Sequence, residues 1–173
     1  LPADVPVGVY SRKITIPEGW DGRDIYLQLA GAKSGCYVYL NGKEVGYNED
    51  SKNPADYLIN DYLKAGENIL TLKIYRWSTG SFLECQDFWR ISGIERDVFL
   101  YSQPKAAVQD FRITSTLDDS YQNGIFRLSV DLKNHEAADK QLAVAYELVD
   151  PQGKTIATEE KTAEVKNGQQ GKV

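Results

Sequence analysis

The sequence predicts an all-β protein built as two sandwich-like units, and three observations carry that prediction. Apolar and polar residues alternate with a period of two along most of the chain. These runs are separated by Gly, Asn, Asp and Pro turn signals. The aromatics divide unevenly: all three Trp and nine of the eleven Tyr lie at or before Tyr101, leaving only Tyr121 and Tyr146 after it. Two units of different character are expected, residues 1–103 and 104–173.

In chain order, "GVYSRKITIP" reads as a strand with imperfect alternation, Val9, Ser11 and Lys13 against Tyr10, Ile14 and Ile16. "DIYLQLAG" sets Ile25, Leu27 and Leu29 on one face of a second strand. "CYVYLNGKEVGY" is the clearest hairpin, because Asn41-Gly42 favours a type I′ turn in which both residues take positive φ. After Pro54, the spacing of Tyr57, Leu58, Tyr62 and Leu63 predicts a short helical turn closed by Gly66. Leu70, Leu72 and Ile74 then return the chain to a strand that runs from Ile69 to Trp77 and breaks at Ser78-Thr79-Gly80-Ser81. Val98 to Tyr101 is the last strand of the first unit, and "SQPKAAVQD" reads as the linker. Beyond it, "VQDFRITSTL", "GIFRLSVDLKN", "KQLAVAYELVD" and "KTIATEEKTAEV" are four strand patterns at immunoglobulin-like spacing. An immunoglobulin-like sandwich uses about seven strands, so the chain is expected to stop partway through this one.

A hydrophobic share of 42% against 26% charged residues is that of a globular protein. No apolar run approaches the roughly 20 residues that cross a bilayer as a helix, which argues against a membrane partner. A net charge of −5 with scattered lysines offers no face for a phosphate backbone, which argues against nucleic acid. One histidine, His135, and no CxxC leave neither a zinc cluster nor a histidine triad to assemble, and His135 itself reads as a solvated loop residue. Cys36 and Cys85 are expected to be free thiols. The chain opens without an initiator methionine or an apolar leader, which suggests an excised piece lacking residues upstream.

The stretch "SFLECQDFWRISGIERDVFLY", residues 81–101, concentrates acids, aromatics and arginines. As an acid/base pair, Glu84 and Asp87 are too local, because glycosidic carboxylates must flank a bond from two directions. Arg90, Glu95, Arg96 and Asp97 are expected to form buried charge-assisted pairs that pin the loop, with Trp89 and Phe88 filling core. Asp87 stands apart, since an acid before aromatic residues can accept hydrogen bonds from sugar hydroxyls while a ring stacks on a sugar face.

The hairpin "NGKEVGY", the "EDS" before Pro54, the "AGEN" turn and the run from "RWS" through "LECQDFWRISGIERDV" together resemble the N-terminal sugar-binding domain of glycoside hydrolase family 2, and most closely that of its β-galactosidases. The resemblance spans about residues 7 to 103 and continues more weakly to the end. It implies a galactose-binding-like jelly roll, then an immunoglobulin-like sandwich, then a catalytic barrel that carries both glutamates of a retaining mechanism and lies outside this chain. The fragment alone is expected to be inactive, with no catalytic residue of its own. By the same resemblance Asp87 binds substrate and helps hold a sodium ion, while Glu84, Gln86, Trp89 and Arg90 support its loop. Magnesium belongs to the parent barrel, and no cofactor is expected in the fragment. The implied partners are a β-galactoside in the full-length protein, the downstream barrel and further copies in a homo-oligomeric parent. Cys85 departs from the family, which has an acidic residue there. A free-standing carbohydrate-binding module, or a β-glucuronidase or β-mannosidase parent, is the alternative.

Overall fold

The computed structural model describes residues 4–87 and 89–173, and the chain divides into two compact units, 1–103 and 104–173. Every strand pairing is antiparallel.

In the first unit, β1 (Val7–Thr15), β4 (Gly35–Leu40), β5 (Lys43–Asn48) and β7 (Glu67–Tyr75) form a sheet in the order β1-β7-β4-β5. A second sheet is β6-β2-β9, from β6 (Ala55–Leu58), β2 (Asp24–Leu29) and β9 (Val98–Gln103). A short ribbon pairs β3 (Ala32–Lys33) with β8 (Gly93–Ile94), setting Lys33 opposite Gly93. The inward faces are those the alternation names: Ile25, Leu27 and Leu29 from β2, Cys36, Val38 and Leu40 from β4, and Leu70, Leu72 and Ile74 from β7 are all buried in one cluster. This is the jelly-roll layout, two sheets closing on a shared apolar interior.

The β4–β5 turn has Asn41 at φ 54° and Gly42 at φ 80°, the type I′ geometry expected of the pair. Tyr57 and Leu58 are not helical. They belong to β6, where Tyr57 sits opposite Leu27, and only Asn60–Tyr62 makes a 3₁₀ turn. Pairing with the buried strand β2 overrides the local helical spacing. Gly46 explains part of this registry, since a Cβ there would come within 2.6 Å of the Tyr57 ring.

The second unit holds β10 (Ala106–Leu117), β11 (Gly124–Asn134) and β14 (Gln169–Lys172) in one sheet, and β12 (Lys140–Val149) with β13 (Thr155–Val165) in another. The linker is shorter than its composition suggests, because Ala106, Ala107, Val108 and Asp110 already pair with β11. Strand β14 carries no apolar alternation and is held by backbone pairing of 169–172 with 131–134. The core is small: Val130, Leu132 and Val165 are buried, with Leu128, Leu142, Val144, Ala163 and Val173 packed against them.

Candidate functional site

The loop that carries Asp87 begins where β7 ends. Helix α1 (Thr79–Leu83) replaces the plain break expected after Trp77. Ser78 closes its first turn, its N–H donating to Ser81 Oγ (2.7 Å) while the Ser81 N–H donates to the Ser78 carbonyl (3.2 Å). Three hydroxyls fasten the helix to the sheet. Ser81 Oγ donates to Ser34 Oγ (2.8 Å), Ser78 Oγ donates to the same atom (3.1 Å), and Ser34 Oγ donates to the Tyr75 carbonyl (2.9 Å).

A second clamp comes from the Glu49-Asp50-Ser51 loop. Glu49 accepts from the Gly80 N–H (2.6 Å) and from the Tyr47 hydroxyl. Burial, and then this carboxylate, push the Tyr47 phenol above its ordinary range. Gly80 lies so close that a Cβ would stand 2.6 Å from the Glu49 carbonyl oxygen, so only glycine fits. Asp50 folds its own loop by accepting from the N–H groups of Lys52 and Asn53, and from the Asn53 amide, which holds its carboxyl below the usual range. The Ser51 N–H donates to Glu84 Oε1 (2.8 Å). Glu84 Oε2 is buried and finds no partner among the described residues.

Beyond α1 the chain opens a cleft of about 490 Å³ lined by Lys33, Lys52, Ser81, Glu84, Cys85, Gln86, Asp87 and Arg90. Asp87 is exposed there, as are Gln86 and Arg90, while Glu84 is half-buried. The Arg90 guanidinium donates to the Cys85 thiol and lies 5.9 Å from the Trp77 ring centre. Trp89 does not fill core: it is 77% exposed, on the stretch between α1 and β8 where no strand alternation turns its side chain inward. Phe88 lies outside the described residues. The charged segment does pin the loop, but at the surface. Glu95 pairs with Lys52, and Arg96 donates to the carbonyls of Lys52 (2.7 Å) and Ala30 (3.4 Å), all four charged groups from Arg90 to Asp97 being exposed. Cys36 and Cys85 are both free; burial pushes the Cys36 thiol up to about 12, while Cys85 is exposed. His135 is exposed in its turn.

Lys33 and Lys52 are the cleft residues that sequence reasoning missed. They arrive from β3 and from the loop after β5, both far from Asp87 along the chain. Among the described residues no group of three or more His, Cys, Asp or Glu is placed to hold a metal ion, and no helix is long and apolar enough to cross a membrane. The sandwich also opens into a cavity of about 510 Å³ between β1 and β9, walled partly by Leu27, Leu70 and Leu72. Its polar lining includes Ser11, Arg12, Lys13 and Thr15, with no carboxylate among the described residues, whereas the loop cleft combines carboxylates with cations.

A family model for "Glycosyl hydrolases family 2, sugar binding domain" matches residues 1–104, and one for "Glycosyl hydrolases family 2" matches residues 106–173. The chain belongs to glycoside hydrolase family 2. It is 46% identical over 136 residues to a β-galactosidase of Priestia megaterium, covering 79% of this chain and 13% of the relative. It is 41% identical over 155 residues to a β-galactosidase of Halalkalibacterium halodurans, covering 90% and 15%. The chain thus spans about one-seventh of the length of these two relatives. A solved β-glucuronidase of Bacteroides uniformis shares the fold at TM-score 0.85 and 22% identity, over 96% of this chain and 21% of that one. A β-glucuronidase of Bifidobacterium dentium does so at 0.68 and 20%, over 95% and 32%. These family 2 structures support the all-β sandwich layout and, at such identities, the fold alone.

Proposed function

We propose that this family 2 chain serves as the accessory, non-catalytic part of a retaining β-galactosidase that hydrolyses terminal β-galactosides. Its loop cleft supplies one wall of the galactose subsite and its sandwiches buttress a catalytic barrel. The observation that carries the reading is the sequence relation to β-galactosidases at 46% and 41% identity, over regions covering most of this chain. The site's construction is consistent with it. Asp87 is an exposed carboxylate at a cleft, on a loop anchored on two sides by hydrogen bonds through Ser34, Glu49 and Ser51. Such a carboxylate accepts hydrogen bonds from sugar hydroxyls without moving when the sugar arrives, so little ordering cost opposes binding.

The part played by each residue follows from its surroundings. Asp87 binds substrate. Glu84 holds the loop through Ser51, Arg90 steadies it against Cys85 and Trp77, and Gln86 and Trp89 flank the acid. Sodium fits this arrangement as a shared ion: a hard cation takes oxygen ligands, Asp87 offers a carboxylate, and the other ligands come from elsewhere in the longer protein. The ion would supply a fixed positive charge for sugar oxygens.

Turnover of a nitrophenyl β-galactoside by the full-length protein tests this, comparing wild type with Asp87→Ala in the presence and absence of sodium. The expected result is a fall in kcat/KM of about a hundredfold or more, with the sodium dependence blunted. Unchanged kinetics would reduce Asp87 to scaffold.

A further inference from the structure

Lys33 is 8% exposed, and it lines the cleft beside Asp87. Its backbone is used in the ribbon with Gly93, but its ammonium makes no hydrogen bond or ion pair with any described residue. Its stem is packed away while the ammonium is not among the sealed atoms and keeps its contact with the cleft, where it is placed to donate to a molecule that enters. Glu84 also lines the cleft, but its Oε2 is sealed from solvent, without a partner among the described residues, and out of reach of an entering molecule. The two do not pair with each other. Lys52, the other lysine of the cleft, is matched by Glu95.

One wall therefore presents an unpaired donor, the Lys33 ammonium, together with an exposed acceptor, the Asp87 carboxylate. An inorganic anion would satisfy Lys33 alone, and a cation would satisfy Asp87 alone. A polyol satisfies both, because each hydroxyl accepts through its lone pairs and donates through its proton. Building on the galactosidase reading above, we propose that Lys33 is a substrate-positioning residue, its ammonium donating to a hydroxyl oxygen of the galactosyl group that Asp87 holds.

The test uses the full-length protein and a set of nitrophenyl β-galactosides, each lacking one ring hydroxyl. In wild type, the analogue missing the hydroxyl that Lys33 serves should lose about ten- to a hundredfold in kcat/KM, since a charged donor is left without its acceptor. In Lys33→Met that one penalty should vanish while the penalties at the other positions persist, and Lys33→Arg should restore part of it. Should Lys33→Met fail to fold, judged by its thermal midpoint, Lys33→Gln is used instead, and its neutral donor should shrink that one penalty without abolishing it while the others persist.

Equal loss against every analogue, or no loss, would overturn the proposal and make Lys33 a structural residue or the ion-pair partner of another segment. The two readings fail separately. A wild type that hydrolyses galactosides but shows no Lys33-linked hydroxyl sinks only the present inference. An Asp87→Ala variant with normal turnover sinks only the role of Asp87. A wild type that neither hydrolyses galactosides nor binds galactose by calorimetry sinks both.

Discussion

The two units are both antiparallel and both regular, yet they hold themselves together differently. In the first, eleven apolar residues from β2, β4, β7 and their neighbours interlock in one buried cluster. In the second, long strands such as β10 and β13 are exposed along almost their whole length, and three residues form the buried apolar centre. Strand content alone therefore says little about how much apolar surface leaves water. What the second unit lacks in core it partly makes up with polar stitching. Asn134, wholly buried, donates to the carbonyls of Ala138 (2.9 Å) and Val165 (2.8 Å) and accepts from the Glu136 N–H (3.0 Å).

The largest effect that would break this comparison is cavity formation. Leu27→Ala in the first unit should cost about 3 to 4 kcal/mol, and Leu132→Ala in the second about 2, because a cavity ringed by few buried neighbours relaxes more easily. All three tryptophans lie in the first unit. Urea unfolding followed by tryptophan fluorescence reads that unit, and circular dichroism reads both. Equal losses for the two leucines would mean that the second core is as consolidated as the first.

Next come the buried amides, which should be level. Asn68 accepts from Asn41 Nδ2 (2.7 Å) and the Lys64 N–H (2.9 Å) and donates to the carbonyls of Lys64 and Gly66. It is the counterpart of Asn134. Each Asn→Ala change removes at least three hydrogen bonds to backbone groups, so each should cost about 2 kcal/mol, measured by the same two probes. A much larger cost at Asn134 would show that polar stitching is the second unit's main support.

The smallest effect is one of pH. Burial raises the Tyr57 phenol to about 12 from an ordinary 10, and burial, with Asp56 alongside, does the same for Tyr101. The folded chain thus keeps protons that the unfolded chain releases. Stability present below pH 10 is lost as the pH rises from 10 toward about 12. The fluorescence-detected midpoint should fall in that window, and Tyr57→Phe should flatten part of the fall with little change at neutral pH, since its hydroxyl has no partner among the described residues. An unaltered fall would move the effect to other groups.

Much of this fold can be read before any coordinates. The Asn41-Gly42 turn follows from backbone sterics, and the buried rows of β2 and β7 follow from a two-residue period. What escapes is decided by partners distant in sequence. Tyr57 and Leu58 are spaced like a helix and become a strand because β2 lies beside them. β14 has no apolar pattern because its backbone, and not its side chains, makes the pairing. The candidate site divides the same way. Asp87 is visible as a motif residue, whereas Lys33 enters the cleft through the β3–β8 ribbon, which two residues per strand cannot announce.

The attachment of α1 has a consequence for heat. The helix buries only Gly80 and Ser81, and it leaves Phe82 48% and Leu83 80% exposed. Its hold on the sheet is enthalpic, a set of hydrogen bonds around Ser34 and Glu49, and its release uncovers little apolar surface. Local opening of this loop therefore carries almost no heat-capacity increment. The sandwich follows a domed stability curve, whereas the Asp87 loop loosens steadily with warming, so the edge of the unit that bears Asp87 has a thermal range narrower than the fold that carries it.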